Sequence, residues 1–169
     1  MPADALPAGA QPAGAPPAWV PGRRLGVDVG TVRVGVAVSD VTGMLASPLV
    51  TLRRAKDQSD LDRLAELVVT EEVVEVVVGL PKHLSGASGA SARDASAYAE
   101  DLASRIGEVP VHLVDERLST VTAASHLRAG GITARNQRSV IDQAAAVVIL
   151  QSHLDRRPRT GPDAWGPRS

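Results

Sequence analysis

Three acidic residues stand where a carboxylate is either unusual or well placed for chemistry. Asp142 interrupts "SVIDQAAAVVIL", with Ile141 beside it and Ala145, Ala146 and Ile149 at helical spacing. A carboxylate in that setting is costly to desolvate unless something pairs with it. Asp28, in "LGVDVGT", falls on the opposite parity to Leu25, Val27 and Val29, and Glu116 stands just beyond the apolar run "VHLVD". Sites in open α/β sheets gather outside the carboxyl ends of strands and at helix N-termini, so the three acids can meet at one edge. Oxygen ligands without cysteine suit Mg²⁺ or Mn²⁺ rather than zinc. A divalent cation also turns the mutual repulsion of clustered carboxylates into a favourable arrangement.

Each acid has a purely structural reading as well. Asp28 can fix the turn before Gly30, and Glu116 can join a surface ion pair within "DERLST". Ser139 and Asp142 have nearly the spacing of a capping box, and an aspartate in a first helical turn complements the helix dipole. Taken alone, capping is the heavier reading of Asp142.

The elements that must position these residues follow from hydrophobic periodicity. "RLGVDVGTVRVGVAVSD" alternates at period two through Val32, Val34, Val36 and Val38, which predicts two strands joined by a tight Gly30-Thr31 turn. "SPLVTLRR" predicts a third strand entered after Pro48. Ser59 with Asp62 opens a helix whose buried stripe is Leu61, Leu64, Ala65 and Val68. "VVEVVVGLP" reads as a strand buried on both faces, and residues 82–91 as a Gly/Ser loop. A helix through Ala95, Tyr98, Ala99, Leu102 and Ile106 follows, then "VPVHLVDE" as another central strand. "STVTAASHLRAGG" predicts a helix stopped by Gly130-Gly131, and the Asp142 segment a last helix with that residue in its first turn. The order β-β-β-α-β-α-β-α-α implies an α/β fold: an antiparallel meander continued by parallel strands, covered by helices.

Composition bounds the rest. Nine of the twelve prolines lie in residues 1–22 or beyond Leu154. Residues 1–22 therefore read as a disordered Pro/Ala-rich leader, 23–154 as the folded domain and 155–169 as a flexible tail. No stretch approaches a membrane span, and the leader lacks the features of a signal peptide. The absence of cysteine fits a reducing cytoplasm. Net charge is −1, so any grip on phosphates must come from local clusters. A single tyrosine and no phenylalanine argue against a base-stacking platform.

Four blocks, "GVDVGTVRVGVAVSD", "VVVGLPKHLSGASG", "VHLVDERLST" and "DQAAAVVIL", resemble in order and spacing the YqgF family. Its members are Holliday-junction-resolvase-like proteins to which a nuclease role on pre-16S ribosomal RNA is ascribed. The resemblance covers nearly all of residues 23–154 and implies an RNase H-like fold with an acidic metal site at Asp28, Glu116 and Asp142. It also implies a substrate-facing loop in the block Gly79, Leu80, Pro81 and Gly86. Metal-assisted phosphodiester hydrolysis then follows, with two Mg²⁺ or Mn²⁺ ions roughly 3.5–4 Å apart. Asp28 would bridge the ions and the other two acids would complete the shell. Arg33, Lys82, Arg117, Arg135 and Arg138 flank the acidic blocks and together suit phosphate grips, although each taken alone reads as a solvated surface charge. Gly86 and His83 lie in the loop, which reads equally as an ordinary connection. A solvated loop histidine is the heavier reading of His83, and His112 reads as core or as support for the site. Nucleic acid, either structured RNA or branched DNA, is the partner implied, with homodimer formation left open.

Two other functions share features of this sequence. "DVGT" before a hairpin also serves actin-like ATPases and sugar kinases in holding nucleotide phosphates, but those enclose the nucleotide between two such domains. A non-catalytic module bound to nucleic acid or the ribosome would keep the acids for metal or folding alone.

Overall fold

A computed structural model of the chain describes residues 20–81, 86–115 and 134–156, except the side chains of 86–88 and 134–139. Strands β1 (Arg23–Val29), β2 (Arg33–Ser39) and β3 (Ala46–Arg53) form the expected antiparallel meander. Helix α1 (Ser59–Thr70) leads to β4 (Val73–Leu80), which pairs parallel to β1, and α2 (Gly86–Ile106) leads to β5 (Val111–Asp115), parallel to β4. A last helix, α3, spans Ala134–Asp155. The sheet runs β3-β2-β1-β4-β5. The helix predicted in "STVTAASHLRAGG", and nearly all of the predicted leader and tail, lie outside the described residues. No helix among the described residues is long and apolar enough to cross a membrane.

Strand parity builds two different faces. Leu25, Val27, Val34, Val36, Val76 and Val78 pack with Leu61, Leu64, Tyr98 and Leu102 of α1 and α2. Most of these side chains are fully buried, each worth about 1.5–3 kcal/mol of hydrophobic transfer. The opposite parity of β1 and β2 presents Gly26, Asp28, Gly35 and Ala37 towards α3. There the helix backbone itself comes down on the strands. A Cβ on Gly35 would stand 1.9 Å from the Asp142 carbonyl oxygen, and one on Gly26 would stand 2.8 Å from that of Ala146. Glycine is required at both positions for closeness.

Several local expectations are corrected. Gly30 and Thr31 are not a two-residue turn: the loop is Gly30–Val32, closed by the Gly30 N–H donating to the Arg33 carbonyl at 2.8 Å. Val32 consequently leaves the alternation and is exposed. Pro48 lies inside β3, tolerated because this is an edge strand with a register shift beside it. Ser59 does not cap α1. Gln58 takes the capping position in a left-handed conformation without a side-chain bond, and Ser59 is already helical. Asp60 turns inward instead, accepting from the Tyr98 hydroxyl at 2.7 Å and the Ala55 N–H at 3.2 Å. Burial, reinforced by the bond to Asp60, pushes the Tyr98 phenol up, so its proton stays in place. Helix α2 begins at Gly86, inside the stretch read as loop, and among the described residues β5 is an edge strand rather than a central one.

Substituting Gly35→Ala tests the close approach of α3. The methyl group would meet main chain, which has no rotamer with which to yield, so overpacking should cost at least about 1–3 kcal/mol. Urea unfolding measures this, and wild-type stability in the variant would show that α3 does not seat on Gly35.

Candidate active site at the carboxyl edge of the sheet

The parallel strands β1, β4 and β5 end together, with Leu80 paired to Asp115 at the last described position of β5. Asp28 is the penultimate residue of β1 and pairs directly with Gly35 of β2. The Asp142 main chain rests on that same Gly35. Two acids more than a hundred residues apart in sequence are thus brought to one face, with only a side-chain-free residue between their anchoring points. Neither is fully buried.

Asp142 is not a helix-capping residue. Helix α3 starts at Ala134, more than two turns earlier, so the dipole and capping-box arguments do not apply to it. Its partner is Arg33, the first residue of β2, whose Nε donates to Asp142 Oδ2 at 3.0 Å. This pairing meets the desolvation cost that the sequence poses at Asp142. With 21% of the Asp142 side chain and 36% of that of Arg33 exposed, the pair faces solvent and can be reached by a ligand. The next residue, Gln143, donates through Nε2 to Thr51 Oγ1 at 3.1 Å, which pins this turn of α3 across β3.

The other expected site residues are less fully described. Glu116 follows Asp115 directly in sequence but lies outside the described residues, as do Lys82, His83 and Arg117. Gly86 is the first residue of α2. Arg135 and Arg138 belong to the first two turns of α3, with side chains outside the described set. Among the described residues no group of three histidine, aspartate or glutamate side chains gathers to hold a metal. Asp28 and Asp142 offer carboxylate oxygen only. That chemistry fits a hard divalent cation such as Mg²⁺ or Mn²⁺.

His112 is a correction. It is exposed rather than core, with its ring stacked on His153 at 6.1 Å between centroids. His153 Nε2 lies 2.5 Å from Glu75 Oε1, and Arg24 Nε 3.7 Å from Glu75 Oε2. Arg24 and Glu75 pair near the start of β1 and β4, four residues before Asp28 or about 13 Å along the strand. His112 therefore belongs to a structural network at the opposite end of the sheet.

Arg54 and Asp94 were not legible as site neighbours. Arg54 Nη1 donates to the Gly30 carbonyl at 3.1 Å, and its two Nη atoms hold Asp94 of α2 at 2.6 and 3.0 Å. The bond to Asp94 raises the guanidinium pKa further, so Arg54 is charged at any working pH. Its carboxylate and carbonyl partners come from two distant segments, and no local pattern in "TLRR" announces them.

Solved structures and sequence relatives agree with this architecture. Thermus thermophilus RuvC in complex with a Holliday junction substrate superimposes with a TM-score of 0.51 at 17% identity, covering 78% of this chain and 92% of that one. The Fowlpox virus resolvase bound to Holliday junction DNA gives 0.50 at 9% identity, over 79% and 97%. At these identities the likeness concerns the RNase H-like fold. A protein of Mycobacteroides abscessus, provisionally named a pre-16S rRNA nuclease, is 56% identical over 147 residues, 86% of this chain and 89% of the relative. A Mycobacterium leprae protein with the same provisional name is 62% identical over 135 residues, 80% and 73% of the two chains. The family model described as Holliday junction resolvase RuvX matches residues 22–156, and the chain belongs to that RuvX (YqgF) family.

Proposed function

We propose that this protein is a nuclease that hydrolyses phosphodiester bonds in structured nucleic acid, with the precursor of 16S ribosomal RNA as its substrate. The observation that carries the reading is the meeting of Asp28 and Asp142 over Gly35, with Arg33 beside them. The provisional names of the mycobacterial relatives favour ribosomal RNA, and the junction-bound structures share the fold.

Asp28, Asp142 and Glu116 are the residues that would hold divalent metal, Mg²⁺ or Mn²⁺, as a pair of ions. Such a cation supplies an acidified water and charge neutralisation at the phosphate. The chain's own residues do the positioning. β1 and β2 hold Asp28 rigidly in a paired strand, and the seat on Gly35 fixes Asp142 against it. Arg33 holds Asp142 through Nε, and the rest of its five-donor fork suits a phosphate oxygen. Lys82, His83 and Gly86 in the G-L-P block, together with Arg117, Arg135 and Arg138, would extend this grip along the backbone of the substrate. Such contacts position nucleic acid without reading its sequence.

Asp142→Asn separates ligand from scaffold. The variant loses a partly exposed ion pair worth up to about 1 kcal/mol, so its melting temperature without metal should stay close to wild type. Cleavage of matched RNA and DNA substrates in Mg²⁺ or Mn²⁺ should collapse in Asp142→Asn and in Asp28→Asn. The rise in melting temperature that added metal gives the wild type should shrink with it. Normal cleavage by Asp142→Asn would remove this residue from the site.

Binding to nucleic acid should weaken steeply with salt. Arg33→Gln should lower the slope of log affinity against log salt by about 1, measured by fluorescence anisotropy on an uncleavable substrate. An unchanged slope would assign Arg33 to Asp142 alone.

A further inference from the structure

Arg54 follows β3 and touches neither acid of the site, yet it joins the two segments that flank the site. Its backbone N–H donates to the Val32 carbonyl at 2.8 Å, and its Nη1 donates to the Gly30 carbonyl at 3.1 Å. The loop Gly30–Val32 is thereby held at both its ends, immediately after Asp28 and Val29 on β1. The same guanidinium grips both oxygens of Asp94. Asp94 sits on α2, the helix that begins at the last glycine of the block Gly79, Leu80, Pro81 and Gly86. The Arg54 guanidinium carbon lies 5.2 Å from the centre of the Tyr98 ring, while the Tyr98 hydroxyl is tied to Asp60. A planar fork is needed for this combination, because a lysine cannot serve a carbonyl and both carboxylate oxygens in one plane.

The stability return of these contacts is small. Arg54 and Asp94 have 26% and 41% of their side chains exposed, and ion pairs of that kind contribute up to about 1 kcal/mol. Their geometric consequence is larger, since the loop after Asp28 and the helix after the G-L-P block cannot shift independently while the fork is in place.

We propose that Arg54 is a positioning residue that locks the Asp28 hairpin to α2 and so sets the acidic site against the substrate-facing block, with Asp94 as its partner. The proposal rests on the nuclease reading. Misplacement of reacting groups by about 1 Å can cost roughly 10²-fold in rate, and that loss is the effect expected.

The test compares full-length wild type, Arg54→Gln, Arg54→Lys, Asp94→Asn and the exchange pair Arg54→Asp with Asp94→Arg. Steady-state cleavage, melting temperature, Mn²⁺ affinity by calorimetry and amide exchange at Gly30 are measured on each. Expected for Arg54→Gln is a fall in kcat of about 10²-fold with KM little changed, a melting temperature near wild type and faster exchange at Gly30. Arg54→Lys should recover only part of the rate, and Asp94→Asn should follow Arg54→Gln. The exchange pair should restore the tie to α2 but not the bond to Gly30, so it should recover less than half of the lost rate. An unchanged kcat in Arg54→Gln overturns the proposal, as does a rate loss that merely tracks lost stability across the series. Should the wild type cleave no substrate, the nuclease reading fails separately, and Mn²⁺ affinity then decides for Arg54. A fall in affinity in Arg54→Gln without a fall in melting temperature supports its role, and an unchanged affinity overturns it.

Discussion

The contact between the α3 backbone and Gly35 is the constraint on which the rest of the site depends. A helix normally stands off a sheet by the thickness of two side-chain layers. Here Gly26 and Gly35 remove one of those layers, and the Ala146 and Asp142 carbonyls settle almost onto the strands. The short side chains of Ala145 and Ala146 along the same helix, both buried, keep the approach possible. Because Gly35 is also the hydrogen-bonded neighbour of Asp28, the depth of that seat determines how far apart the two acids stand. The same packing contact therefore carries both the seating of the helix and the proposed site.

A second consequence is electrostatic. Lowering Asp142 onto the sheet seats its main chain on Gly35, the strand neighbour of Asp28, and bringing two carboxylates to one face is disfavoured by repulsion. Arg33 offsets the charge from within the same hairpin, at 3.0 Å from Asp142. The hairpin thus supplies one acid, the glycine seat for the other and the cation that pairs with it. Arg54 holds the loop of that hairpin from outside. The opposite end of the sheet contrasts with this, since Arg24, Glu75 and His153 form a network there in which Arg24 and Glu75 are nearly inaccessible. That pair is closed to solvent, whereas Asp28 and Asp142 at the other end are partly exposed.

Much of this was legible in the sequence because it is local. Strand parity put Asp28 opposite the core stripe, and the β-branched run of β4 announced a buried strand. The four family blocks pointed to the fold that the sheet order shows. What failed was also physical. Helix α3 extends back through "ARNQRS", which has no apolar stripe to reveal it, and so Asp142 looked like a capping residue when it lies deep in the helix. Val32 continued the alternation in type but stands in a loop closed by Gly30 and Arg33. The edge position of β5 left its sequence free to look central. Arg54 and Asp94, forty residues apart, carry no local signal, and only tertiary structure brings them together.

The central claim is that Asp28 and Asp142 share a divalent cation. Anomalous diffraction from crystals of the full chain grown with Mn²⁺ tests it most directly. The account predicts a manganese peak bounded by carboxylate oxygens of both residues, with Glu116 also in its coordination. A peak elsewhere, or manganese bound at Asp28 while Asp142 remains ligated only to Arg33, would contradict it.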